Sequence, residues 1–138
     1  MQTVVPMLSY EDGVAAIDWL CRAFGFRERE GSRRVEEGRL THAELDVGDG
    51  SVVFLASPTP DYESPRRHRE HCEAAKGWSQ APWVIDGVLV RVLDVDRHRR
   101  RSRDEGAEML SEIEETPFGR LYRAEDVEGH RWMFLEPT

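Results

Sequence analysis

Gly38-Arg39-Leu40-Thr41-His42-Ala43-Glu44 returns 81 residues later as Gly119-Arg120-Leu121-Tyr122-Arg123-Ala124-Glu125, identical at five of seven positions. Two further echoes keep nearly the same spacing. Phe134-Leu135 follows Phe54-Leu55 by 80 residues, and Val92-Leu93-Asp94 follows Tyr10-Glu11-Asp12 by 82. Three matches in one order point to duplication of a single supersecondary unit.

The unit reads outward from the quoted stretch. Residues 3–10 are β-rich, and Pro6 restricts that strand to an edge or an irregular position. Asp12 is placed to cap a helix, whose apolar stripe is Val14, Ile17, Cys21 and Phe24 and whose stop is Gly25. Strands are then expected over 26–33, 39–47 and 51–57, with Gly48-Asp49-Gly50 turning the last pair. The second half repeats the order: a strand over 88–93, a charged helix over 95–105, and strands over 108–114, 120–126 and 131–135. Between them lies a Pro-rich linker with one helix over 66–76. The expected fold is α+β, two tandem β-α-β-β-β units whose curved mixed sheets surround a cleft. It forms one domain over 1–138, with repeats at 3–57 and 84–137 and the linker at 58–83.

Composition narrows the partners. A chain of 138 residues can bury a core unaided, and its net charge of −8 argues against a nucleic-acid partner. The start MQTVVPMLSYED lacks a signal-peptide pattern and no run is long enough to span a membrane, so no membrane partner and a cytoplasmic location are expected. Cys21 and Cys72 follow no metal or redox spacing.

Leu8-Ser9-Tyr10-Glu11-Asp12 entering the first helix, Phe24-Gly25-Phe26 leaving it, Val92-Leu93-Asp94-Val95-Asp96, and the hairpin run Glu125-Asp126-Val127-Glu128-Gly129-His130-Arg131-Trp132 resemble the vicinal oxygen chelate superfamily. The similarity is greatest to its glyoxalase/bleomycin-resistance protein/dioxygenase branch. The resemblance implies a half-barrel from each unit, a ligand cleft between halves, and a homodimer in which halves of different chains can share a site. Its catalytic members hold a divalent metal on the first and fourth strands of each half. Those positions here are Val5, Phe54 (or Val53), Gly87 and Met133, none a nitrogen or oxygen donor, and a one-residue slip adds only Asp86. No metal ligand and no cofactor are therefore expected.

Several side chains have a functional and a plainer reading. His42 and Glu44, with their repeat equivalents Arg123 and Glu125, line the cleft or form charge pairs on the solvent face. His42, Glu44 and Glu125 are the candidate catalytic residues, with His42 the best general base. Alternation puts Val88, Val90 and Val92 on one face and Arg91 on the other, and the resemblance implies that the valines pack on the helix and Arg91 faces the cleft, to bind an anionic group or to form an internal salt bridge. Arg131 shares that choice. His68, His71 and Cys72 read as a solvated helix. Trp78 and Trp83 serve as an aromatic lid or as anchors of the linker. The run Arg97-His98-Arg99-Arg100-Arg101-Ser102-Arg103 reads as a solvated helix face. The expected cleft lining is Val5, Met7, Phe54, Leu89, Arg91, Tyr122 and Met133.

The leading expectation is metal-independent binding of a small molecule, by sequestration of a basic or aromatic antibiotic-like ligand. The alternative is an enzyme, a metal-dependent glyoxalase-like lyase, isomerase or dioxygenase with a divalent metal on His42, Glu44 and Glu125.

Overall fold

The computed structural model describes residues 1–138. The chain runs β1 (Met7–Ser9), α1 (Gly13–Phe24), β2 (Arg27–Glu28), β3 (Arg34–Glu36), β4 (Arg39–Gly48), β5 (Ser51–Ala56), α2 (Pro65–Glu70), α3 (Glu73–Ser79), β6 (Gly87–Arg91), α4 (Val95–Asp104), β7 (Glu108–Met109), β8 (Glu114–Thr116), β9 (Gly119–Glu125), β10 (Arg131–Pro137). One sheet has the order β1-β5-β4-β2 and the other β6-β10-β9-β7, with β3 on β4 and β8 on β9. β1–β5 and β6–β10 are parallel; the remaining pairs are antiparallel. The fold is α+β and built of two repeated units, as the duplicated stretch predicts. No helix is long and apolar enough to cross a membrane.

Local chemistry explains the turns of each unit. The Asp12 carboxylate accepts the Ala15 N–H at 3.1 Å, and Gly25 closes α1 at φ 76°. Gly38 and Gly119, the first residues of the repeated stretch, have φ of 77° and 139°, a region that other side chains rarely enter. At Gly119 a Cβ would also lie 2.1 Å from the Glu136 carbonyl oxygen.

Four details differ from the sequence reading. The second strand of each unit is two strands, because a bulged segment loops off the long partner between them. Ser32 Oγ accepts the Glu44 N–H at 3.1 Å in one half, and Ser111 Oγ accepts the Arg123 N–H at 3.1 Å in the other. The first strand is only Met7–Ser9. Ahead of it the Gln2 amide takes the place of a strand, accepting the Val52 N–H at 2.6 Å and donating to the Val52 carbonyl at 2.9 Å. The linker holds two helices rather than one, broken at His71-Cys72; Ser64 caps the first and no side chain caps the second. Finally, the buried face of α1 is Gly13, Ala16, Ile17, Trp19, Leu20, Ala23 and Phe24, while Val14 is exposed. α1 is covered on two sides, which a single stripe does not anticipate.

That double burial follows from the core. Twenty buried residues form one cluster that includes Leu45, Val53 and Leu55 of the first sheet, Tyr122, Trp132 and Phe134 of the second, and both long helices. α1 and α4 thus lie between the two sheets. Phe24 sits at its centre, with ring centroids 4.7 Å from Phe134 and 5.6 Å from Trp132. The other face of each sheet consequently points outward, away from its counterpart in the same chain.

Candidate ligand-binding cleft

Register decides which residues reach those outward faces. In the first sheet Phe54 pairs with Met7 and with Glu44, so all three share a face, joined by His42 two residues before Glu44. Val5 is half-buried and precedes Met7 by two residues. In the second sheet Met133 pairs with Leu89 and Arg123, and Arg131 pairs with Gly87 and Glu125, so these and Arg91 share the outward face. The helix-facing alternates are Val88, Val90, Trp132 and Phe134.

Tyr122 is a correction. It pairs with Phe134, is fully buried, and faces α4, where its hydroxyl lies 2.6 Å from His98 Nδ1 and 2.8 Å from Ser102 Oγ. One residue from Arg123, it falls on the opposite side of the pleat. Arg91 is exposed and makes no salt bridge, so the internal pairing considered for it is not formed.

The three candidate catalytic side chains do not converge. His42 Nε2 lies 2.9 Å from Glu44 Oε2, and Arg29 Nη1 lies 3.1 Å from Glu44 Oε1. The hydrogen bond with His42, aided by the Arg29 charge, holds the Glu44 carboxyl below the usual carboxylate range. The pair sits beside a wholly polar recess lined by Arg29, Glu30, Ser32 and Arg34 in the bulge. His42 also meets the Phe54 ring edge-on at 4.8 Å.

Glu125 belongs to a different assembly on the second sheet. Its carboxylate receives Arg69 Nη1 and Nη2 at 2.6 and 2.8 Å and Arg131 Nε at 3.1 Å. Burial pushes its carboxyl up, but the Arg69 bonds and the Arg131 charge outweigh that and hold it below the usual range. Arg131 also donates to the Ala81 and Ser79 carbonyls at 2.9 and 2.6 Å. The Arg131 choice is thereby decided: it is 4% exposed and spent on Glu125 and the linker backbone. Arg131→Leu leaves the buried Glu125 carboxylate with Arg69 alone and strips the Ser79 and Ala81 carbonyls of their donor, and is expected to cost about 2–3 kcal/mol in urea unfolding and to speed proteolysis of the linker. A loss below about 1 kcal/mol with an unchanged digestion rate would contradict this bracing role.

The resemblance implies a divalent metal, and the donors present do not fit one. Phe54 and Met133 occupy the outward faces with a phenyl ring and a thioether, and the thioether is taken by Arg123 Nη1 at 3.1 Å. No three His, Cys, Asp or Glu side chains in the chain are placed to hold an ion.

Sequence reasoning missed a recess of about 220 Å³ where the end of the linker passes over the second sheet, lined by Trp83, Ile85, Asp86, Leu110, Arg123 and Met133. Its signal was the aromatic and acidic run Trp83 to Asp86 at the second repeat's entrance.

The family profile described as Glyoxalase/Bleomycin resistance protein/Dioxygenase superfamily matches residues 4–134. The chain belongs to this family. Among solved structures, TioX from Micromonospora sp. ML1 is 33% identical over 99% of this chain and 97% of its own, with a TM-score of 0.69. The glyoxalase/bleomycin-resistance fold is also shared with TnmS3, an antibiotic binding protein from Streptomyces sp. CB03234. It is 18% identical over 99% of this chain and 98% of its own, TM-score 0.64. The bleomycin-binding protein of bleomycin-producing Streptomyces verticillus, solved with copper(II)-bleomycin, is 18% identical over 100% and 98%, TM-score 0.61. At that identity the last two show the fold alone. No curated protein matches the sequence.

Proposed function

We propose that this member of the glyoxalase/bleomycin-resistance family binds a small molecule without a metal, sequestering a basic or aromatic antibiotic-like ligand in a cleft completed by a second copy of the chain. The outward orientation of both sheet faces carries this reading. Each face is half of a cleft, and apolar side chains on them stand in water, Met7 at 78% and Leu89 at 44% exposure. The recess in one chain, about 220 Å³, falls short of the roughly 300–1,000 Å³ typical of a drug-sized ligand. In a two-fold dimer, Val5, Met7 and Phe54 of one protomer meet Leu89, Arg91 and Met133 of its partner, and each dimer holds two such sites. Sequestration makes no bond: apolar lining removes the ligand from water, and the acidic chain of net charge −8 favours a cation. The names of the antibiotic-binding and bleomycin-binding neighbours support the same ligand class.

Light scattering on untagged protein, combined with quenching of tryptophan fluorescence by a panel of basic aromatic antibiotics and elemental analysis, tests the proposal. The expected result is a dimer mass, saturable quenching at one ligand per protomer and no stoichiometric metal. A monomer that quenches with nothing overturns it. So does one equivalent of divalent metal lost in His42→Ala or Glu44→Ala, which would favour the lyase, isomerase or dioxygenase alternative.

A further inference from the structure

The outward face of the second sheet is open over only part of its length. α2, α3 and the chain after them are tied across it by Arg69 on Glu125 and by Arg131 on the Ser79 and Ala81 carbonyls. Where this strap runs into β6, Trp83, Asp86, Arg123 and Met133 line the recess beneath it. We propose that the recess is a subsite for an aromatic ring carrying a protonated amine, with Trp83 and Met133 holding the ring and the Asp86 carboxylate the ammonium. The proposal rests on the cleft reading and names the ligand class that its second half takes.

The hydrogen-bonding partners already taken within the recess favour a cation. Three ionic side chains line it besides the apolar ones: Arg131, Arg123 and Asp86. Arg131 shares the single Glu125 carboxylate with Arg69 and spends its remaining donors on the Ser79 and Ala81 carbonyls. Arg123 lies 3.8 Å from Glu114 and donates to the Met133 sulfur. Asp86 has neither a salt bridge nor a side-chain hydrogen bond, although nineteen of the chain's residues are Lys or Arg. A ligand anion entering here would find every nitrogen of Arg131 already donating and Arg123 beside Glu114, whereas a ligand cation would find a free carboxylate. An unpaired carboxylate beside a low-dielectric wall attracts an ammonium more strongly than the same group in bulk water does.

The wall itself suits a flat ring. Trp83 lines the recess and is 73% exposed, so most of its indole stands in water until something covers it. Met133 adds a polarisable sulfur to the lining, a group that packs well against aromatic edges. An indole also attracts a cation through its ring face, which adds to the Asp86 preference. Arg91, the other outward-facing cation of β6, follows Gly87 by four residues and does not line the recess.

Three matched probes separate ring from charge: cationic 9-aminoacridine, neutral acridine and anionic acridine-9-carboxylate, titrated near neutral pH by dye and tryptophan fluorescence. The expected order is 9-aminoacridine first by about tenfold, acridine second, the carboxylate last. Asp86→Asn should erase the tenfold preference while leaving acridine unchanged, with unaltered far-UV circular dichroism since the residue is exposed and unbonded. Trp83→Leu should weaken 9-aminoacridine and acridine alike. Raising the salt concentration should narrow the gap between the two dyes in the wild type only. Equal binding of all three dyes, or a preference that survives Asp86→Asn, overturns the subsite and leaves the cleft reading standing. Failure of 9-aminoacridine to bind overturns the subsite also, while dimer mass and antibiotic quenching judge the cleft reading on their own.

Discussion

Asp126→Ala is expected to lower the unfolding free energy by about 4 kcal/mol, an effect as large as emptying a core position. One oxygen of this fully buried carboxylate accepts the Tyr10 hydroxyl at 2.6 Å and the Trp132 indole N–H at 3.0 Å. The other accepts the Glu128 and His130 backbone N–H groups, both at 3.0 Å. Alanine would leave four donors without a partner, two of them on side chains with no solvent access. Tyr10 belongs to the first repeat and Trp132 to the second, so the carboxylate also couples the halves. The neighbouring Glu128 adds to that coupling by accepting the Glu11 and Asp12 N–H groups at 2.6 and 3.0 Å. Asp126→Asn should cost less, because its oxygen can still serve two of the four donors. Urea unfolding followed by tryptophan fluorescence reads both variants, and a cost below about 1 kcal/mol for alanine would contradict this role.

Acidification from pH 7 to pH 4 should remove about 3 kcal/mol of stability through His98 alone. Burial, with a smaller contribution from the Arg101 charge, pushes the imidazole down to about 4, while its bond to the Phe24 carbonyl opposes the shift. The ring is held neutral by that geometry. Nε2 donates to Phe24 O at 2.9 Å and Nδ1 accepts from Tyr122 at 2.6 Å. Because the folded value lies below the ordinary value near 6.5, protons bind the unfolded chain first. Stability is therefore level above about pH 6.5, falls between 6.5 and 4, and gains no further slope from His98 below 4. Buried Glu125, depressed in the folded state, adds its own loss only at lower pH, as pH falls below the ordinary carboxylate value. His98→Gln should flatten the profile between pH 5 and 6.5 in urea unfolding. A slope there that persists in the variant would assign the effect to another group.

The repeated stretch exposed the duplication because Gly38 and Gly119 are needed for backbone geometry and the following residues fill matching strand positions. Alternation set Val88 and Val90 on one face of β6 and Leu89 and Arg91 on the other, and the registration that the family resemblance implies turned the valines to the helices. The repeat also held the answer for Tyr122. It aligns with Thr41 rather than with His42, and so belongs on the helix side. His98 was hidden by the arginines around it, although Val95, His98 and Ser102 fall on one helical face and all turn inward. The bracing of Glu125 by Arg69 was not legible, because it joins residues 56 apart through a linker whose path no local pattern sets. The same holds for the back-to-back placement of the halves: packing of α1 on α4 decides it, and each helix taken alone reads as the cover of one sheet.

Complementation between two blocked variants tests most directly whether the cleft is shared between chains. Phe54→Arg obstructs the first half and Met133→Arg the second, and neither side chain belongs to the core cluster. Each variant alone should lose binding of the tightest ligand found in the antibiotic panel. Unfolded together and refolded as an equal mixture, they should regain about a quarter of the wild-type sites, because half the dimers are mixed and each mixed dimer carries one unblocked cleft. No recovery in a mixture whose mass is dimeric would contradict a cleft built from the first half of one chain and the second half of another.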